Sequence, residues 1–109
     1  MTIHVTSSNY EEEVLDSREP VLIDFYADWC GPCKQVAPIL RDLAILYKND
    51  IVVYKVNVDK EKELAAAFGI QSIPTFLFIP KEGQPQISMG ALPREEFVKQ
   101  IDTFLLKKK

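Results

Sequence analysis

The sequence predicts an α/β fold, a central mixed β-sheet of about five strands flanked by about four helices. Three features carry this expectation. Strand-like and helix-like patterns follow one another in the order β-α-β-α-β-α-β-β-α. The run Val21-Leu22-Ile23-Asp24-Phe25-Tyr26-Ala27 is almost continuously apolar, as a strand covered on both faces must be. Beyond Cys30, the residues Val36, Ile39, Leu40, Leu43, Ala44 and Tyr47 recur at helical spacing. With 109 residues, 47% of them hydrophobic, and no repeat, low-complexity segment or linker, the chain reads as one domain over 1–109.

Ile3-His4-Val5 reads as a short opening strand. Ser8-Asn9-Tyr10-Glu11 matches a capping box, and the helix it opens is expected to reach about Asp16. Glu11, Glu12 and Glu13 suit the start of that helix, where negative charge is favoured. After the apolar strand, Pro32 falls in the first turn of the next helix, where a missing N–H does no harm. Pro38 instead removes the bond to the Lys34 carbonyl and predicts a kink. Residues 51–58, rich in β-branched side chains, read as a second central strand. Asp59 can cap the following helix, which carries Leu64, Ala67 and Phe68 and stops at Gly69. Ile73-Pro74 leads into the apolar strand 75–79, and a turn over 80–83 leads to an edge strand near 85–89, which Pro85 suits. The last helix, from residue 94 to about 106, packs Phe97, Val98, Ile101, Phe104 and Leu105. Pro93 opens it, and Leu92 is a poor residue at its cap.

Composition removes several classes of function. Thirteen basic against sixteen acidic residues, a net charge of -3, give no basic excess for a nucleic-acid surface. Lys107-Lys108-Lys109 reads as a solvated tail suited to a helix C-terminus. The longest apolar runs, about seven residues, are too short to span a membrane. The first five residues lack the charged start and apolar stretch of a signal peptide, so a cytoplasmic location is expected, or a periplasmic one if a signal was removed before the numbering. Two cysteines are too few for a disulfide scaffold, and Cys30, Cys33 and His4 are too few for a zinc site, so no metal is expected. No Gly-rich phosphate loop or flavin fingerprint is present, so no bound cofactor is expected. A structural bridge between Cys30 and Cys33 would close a very small loop and constrain the unfolded chain little.

Redox chemistry is the best remaining use of the pair. It lies where an apolar strand turns into a helix, and free N–H groups at a helix start favour the thiolate, the form that attacks disulfides. Asp24 is the anomaly of that strand. An ionised carboxylate buried there without a partner would cost several kcal/mol, so its pKa should rise. It is either satisfied structurally or functional, and its place six residues before Cys30 favours function. Lys55, within the second central strand, either carries its stem outward or turns its ammonium toward Asp24.

The residues Asp24-Phe25, Trp29-Cys30-Gly31-Pro32-Cys33-Lys34, Pro38, Lys55, Ile73-Pro74-Thr75 and Gly90-Ala91, in that order and spacing, resemble the thioredoxin family over essentially the entire chain. The resemblance implies a single thioredoxin-fold domain that reduces protein disulfides by dithiol–disulfide exchange. It implies that Cys30 is the nucleophile and the more exposed thiol, and that Cys33, more buried, resolves the mixed disulfide. Asp24 would exchange a proton with Cys33, tuned by Lys55. Pro74 would be cis and face the cysteines, leaving the Ile73 backbone free to pair with a substrate strand. Trp29, Gly31, Pro32, Ile73, Pro74, Gly90 and Ala91 would form the contact surface. The implied partners are disulfide-containing proteins and an NADPH-dependent flavin thioredoxin reductase as electron donor, and the implied state is a monomer with a redox-active Cys30–Cys33 disulfide. The chain departs from the family pattern at Tyr26, where many members have tryptophan, at Leu92-Pro93 in place of a capping serine, and in a hairpin glycine one residue late. The other functional class open to this sequence is a binding module that uses the apolar face around the motif without turnover.

Overall fold

A computed structural model describes residues 2–4 and 8–108. Among the described residues five strands form one sheet in the order β1-β3-β2-β4-β5: β1 Thr2–His4, β2 Val21–Tyr26, β3 Val52–Asn57, β4 Thr75–Ile79 and β5 Gln86–Met89. β1 and β2 run parallel to β3, while β4 is antiparallel to β2 and β5 antiparallel to β4. The sheet is therefore mixed, as expected. Three α-helices accompany it: α1 Gly31–Leu46, α2 Lys62–Ala67 and α3 Arg94–Gln100. A π-helical segment Glu11–Leu15 precedes β2, and a second, Ile101–Leu105, continues α3.

β2 is central, with buried residues from Val21 to Phe25, which is why it reads as continuous apolar sequence. Successive strand residues point to opposite faces. Leu22 joins Val36, Leu40 and Leu43 of α1 with Phe76, Phe97 and Ile101 on one side. Ile23 and Phe25 join Val14, Tyr54, Val56 and Leu64 on the other. Asp24 shares the Leu22 face, the one that α1 covers. This alternation sets the acid of the strand under the helix that carries the cysteines.

Several boundaries shift from the expected ones for identifiable reasons. Val5, expected in the first strand, and Lys109 lie outside the described residues. The first helical segment opens at Glu11 with Tyr10 at its cap position, later than the capping pattern at Ser8 predicts. α1 runs to Leu46 with Pro38 inside it, as the apolar spacing out to Tyr47 predicts, and its apolar stripe packs on the sheet. Pro93, expected to open the last helix from within, is instead its cap, in extended conformation, and its carbonyl accepts from the Glu96 and Phe97 N–H groups. α2 ends as Gly69 predicted. Gly69 has a φ of 69°, and the N–H groups of Gly69 and Ile70 donate to Ala66 and Ala65.

The core beneath the site is aromatic. Phe97 is fully buried and meets Phe76 edge-on, with ring centroids 4.8 Å apart at 89°. Phe97→Ala is expected to lower stability by about 3–5 kcal/mol, read from the urea midpoint followed by far-UV circular dichroism. A loss below about 1 kcal/mol would mean that the cavity collapses and that this contact does not anchor β4.

Candidate active site

Cys30 occupies the cap position of α1 with extended backbone (φ -88°, ψ 110°), and its sulfur accepts the Cys33 N–H at 3.2 Å. The sulfur thus takes the role an oxygen plays at most helix caps, directly against the positive end of the helix. Pro32 sits in the first turn, where it breaks no bond. Cys30 and Cys33 are joined as a disulfide, with Cα atoms 5.3 Å apart. The expected asymmetry of exposure is absent: each cysteine keeps only 4% of its surface open. Capping turns the Cys30 sulfur over the helix end toward Cys33, and Ala27, Tyr26, Val58 and Ile73 pack around the pair.

The Ile73–Pro74 peptide is cis, and Ile73 packs beside the cysteines. Two bonds tie this loop down. The Pro74 carbonyl accepts from the Gly90 N–H at 2.8 Å, and the Thr75 hydroxyl donates to the Ser72 carbonyl at 2.6 Å. Gly90 has a φ of 93°, a region that side-chain-bearing residues rarely adopt, so the loop can reach Pro74 only with glycine there. Gly31, Pro32, Gly90 and Ala91 are exposed, as is Trp29.

Trp29 is held in place by an unexpected partner. Its indole N–H donates to Asp59 Oδ2 at 2.8 Å. Asp59 was expected to cap α2, but Glu61 stands at that cap position, its side chain making no capping bond, and Asn57 Oδ1 takes the Asp59 and Lys60 N–H groups instead. Asn57 thereby frees the Asp59 carboxylate to reach across to the tryptophan. Between Trp29 and Ile73 lies a groove of about 160 Å³, also lined by Val58, Ile70 and Gln71. On the opposite flank a second cleft of about 160 Å³ runs past Cys33 between Tyr26, Lys34 and Lys55.

Asp24 lies 1% exposed, its Oδ1 without a hydrogen bond, at the register position beside Lys55. Burial pushes its pKa from 3.8 to about 7, while the Lys55 cation pulls the other way. Lys55 also has a partner that the sequence did not suggest. Its ammonium lies over the Tyr26 ring, 4.2 Å from the centroid, a cation–π contact.

Ile73 thus packs beside the cysteine pair, Lys55 lines the cleft past Cys33, Trp29 faces Ile73 across the groove, Asp24 is the register neighbour of Lys55, and Gly90 is bonded to Pro74. Sequence reading missed Val58, Asp59, Gln71 and Met89. Met89, 70% exposed, sits immediately before Gly90 and opposite Thr75. Nothing in the local pattern marks these four, because their place at the site comes from the pairing of β3, β4 and β5.

A redox-active disulfide capping a helix on a mixed sheet, flanked by a buried carboxyl and an open apolar rim, defines a thiol–disulfide oxidoreductase. The Thioredoxin family model matches residues 1–103. The chain is 41% identical to a thioredoxin of Borreliella burgdorferi, over 95% of this chain and 97% of that one. It is 43% identical to thioredoxin 1 of Synechococcus elongatus, over 93% and 94%, and 38% identical to a thioredoxin of Haemophilus influenzae, over 92% and 94%. The chain belongs to the thioredoxin family. Its redox couple is the Cys30–Cys33 disulfide itself, with no cofactor, and its substrates are disulfide-containing proteins. Among the described residues no helix is long and apolar enough to cross a membrane.

Proposed function

We propose that this chain works as a general protein-disulfide reductase, a single domain acting as a monomer in the cytoplasm. The observation that carries the reading is the Cys30 sulfur at the cap of α1, taking the Cys33 N–H at 3.2 Å. In the reduced protein the same position stabilises a Cys30 thiolate. That thiolate attacks one sulfur of a target disulfide. The Cys30–target bond forms as the target's own bond breaks, and the other target sulfur leaves as a thiolate.

Cys33 then gives its proton to Asp24 and attacks Cys30. The internal disulfide closes, the second target sulfur leaves, and it takes up a proton. The target has gained two electrons and the pair has lost them; one of the target's two protons comes from Cys33 by way of Asp24, and the first thiolate takes the other from water. A carboxyl with a pKa of about 7 suits this transfer, since it both accepts and returns a proton near neutral pH. Lys55 moderates that value through space. The backbone of Ile73, which makes no hydrogen bond among the described residues, is open to a substrate strand beside the cis Pro74. Trp29, Gly31, Pro32, Ile73, Pro74, Gly90 and Ala91 form the contact surface.

The Gly31-Pro32 spacer supports reduction over oxidation, since a strong oxidant needs its thiolate heavily stabilised and no cation stands between these cysteines. Electrons return from a partner, since the chain itself has no phosphate loop or flavin fingerprint, and the family resemblance makes that partner an NADPH-dependent flavin thioredoxin reductase.

Trapping tests the assignment of roles. With Cys33→Ser, incubation with disulfide-bearing proteins should accumulate covalent complexes through Cys30, seen on non-reducing gels and released by reductant. With Cys30→Ser they should be absent. The reverse pattern would exchange the two roles.

A further inference from the structure

β5 is patterned the opposite way from a strand that closes a core. Its polar residues Gln86 and Ser88 stand opposite the fully buried Phe78 and Phe76, whereas Ile87 and Met89 stand opposite Leu77 and Thr75 on the other face. Over the inner strands that face is covered by Val14, Leu64 and their neighbours. At the edge it is open: Ile87 keeps 56% and Met89 70% of its surface exposed. Residues 84–93 contain no charge in a chain that is 27% charged. The stretch is continuous with the site, because the Gly90 N–H that ends it is bonded to the Pro74 carbonyl. Two large apolar side chains on one uncharged edge strand, joined to a binding rim, are the pattern of a contact surface rather than of scattered exposure.

We propose that Ile87 is a second docking point, which selects target proteins carrying an uncharged apolar segment beside the disulfide that Cys30 attacks. The proposal rests on the exchange reading above and adds a determinant of which targets are taken. Ile87 lies three residues before Gly90, about 10 Å along the strand. A target segment of about three extended residues covers the distance from Gly90 to Ile87, and a small-molecule disulfide does not.

The test compares Ile87→Ser, Ile87→Val and the parent chain on two substrates: the disulfides of insulin, and 5,5′-dithiobis(2-nitrobenzoate). For Ile87→Ser the KM for insulin is expected to rise about three- to tenfold, the loss of a partly buried aliphatic contact, with turnover of the small disulfide unchanged. Ile87→Val should restore the parental KM. Equal effects on both substrates, or none on either, would overturn the docking role. So would a concentration-dependent dimer of the parent that Ile87→Ser disperses, since a second copy would then be the occupant. A parent chain that reduces neither substrate would overturn the exchange reading itself, an outcome distinct from any of these.

Discussion

Asp24→Asn is expected to stabilise the oxidised protein by on the order of 4 kcal/mol above pH 7, and hardly at all near pH 4. The sign follows from the carboxyl's two surroundings. In the unfolded chain it loses its proton near pH 3.8, and in the folded protein only near 7. Between those values the folded state holds a proton that the unfolded state has released, so the parent loses stability as pH rises across the window and levels off above it. Each tenfold difference in proton affinity is worth about 1.4 kcal/mol, which sets the size. Asparagine, neutral throughout, has no such slope. Urea unfolding of both proteins from pH 4 to 9 should show curves that meet at the acid end and separate toward neutrality. A constant gap would mean that Asp24 ionises at its ordinary value and reaches water.

The same substitution should slow turnover, chiefly in the release of the mixed disulfide, and remove an inflection near pH 7 from the rate. Asparagine cannot take the Cys33 proton. Identical kinetics from pH 6 to 9 would leave Asp24 with a structural role only.

Replacing Cys30 and Cys33 together by serine is expected to bring disulfide reduction down by at least about 10³-fold, to background. A serine hydroxyl does not ionise near neutral pH and forms no disulfide, so both steps of the exchange are lost. The fold should remain, since the bridge closes a loop of only a few residues and its removal costs about 2 kcal/mol by the chain-entropy relation. Far-UV circular dichroism and an insulin-reduction assay separate the two effects. Retained biological activity in this folded, inactive variant would favour the binding-module reading, in which the apolar rim acts without turnover.

Much of the site was legible because its chemistry is local. The two cysteines, their two-residue spacer and Pro32 sit in consecutive positions, and a helix start acts on what lies at its own cap. Asp24 was visible as a charge out of place in an apolar run, a signal of burial that needs no coordinates. Pro74, Gly90 and Ala91 were legible only through resemblance, because no local rule sets them beside the cysteines. Asp59 shows the limit of such rules. Its position fits a helix cap well, yet Asn57 takes up the nearby N–H groups and the Trp29 indole takes Asp59. The exposure of Cys30 was misjudged for a related reason: the burial of a cap depends on what packs over the helix end, here Ile73 from another strand's approach.

The chain's order of elements, the reactive pair and the perturbed acid were determined by sequence alone, since periodicity, helix polarity and desolvation act within a few residues of one another. Tertiary structure decided the rest: that Lys55 lies over Tyr26, that Asp59 holds Trp29, and that β5 turns Ile87 and Met89 outward along the rim. Those contacts join residues far apart in the chain, and only the pairing of strands across the sheet brings them within reach.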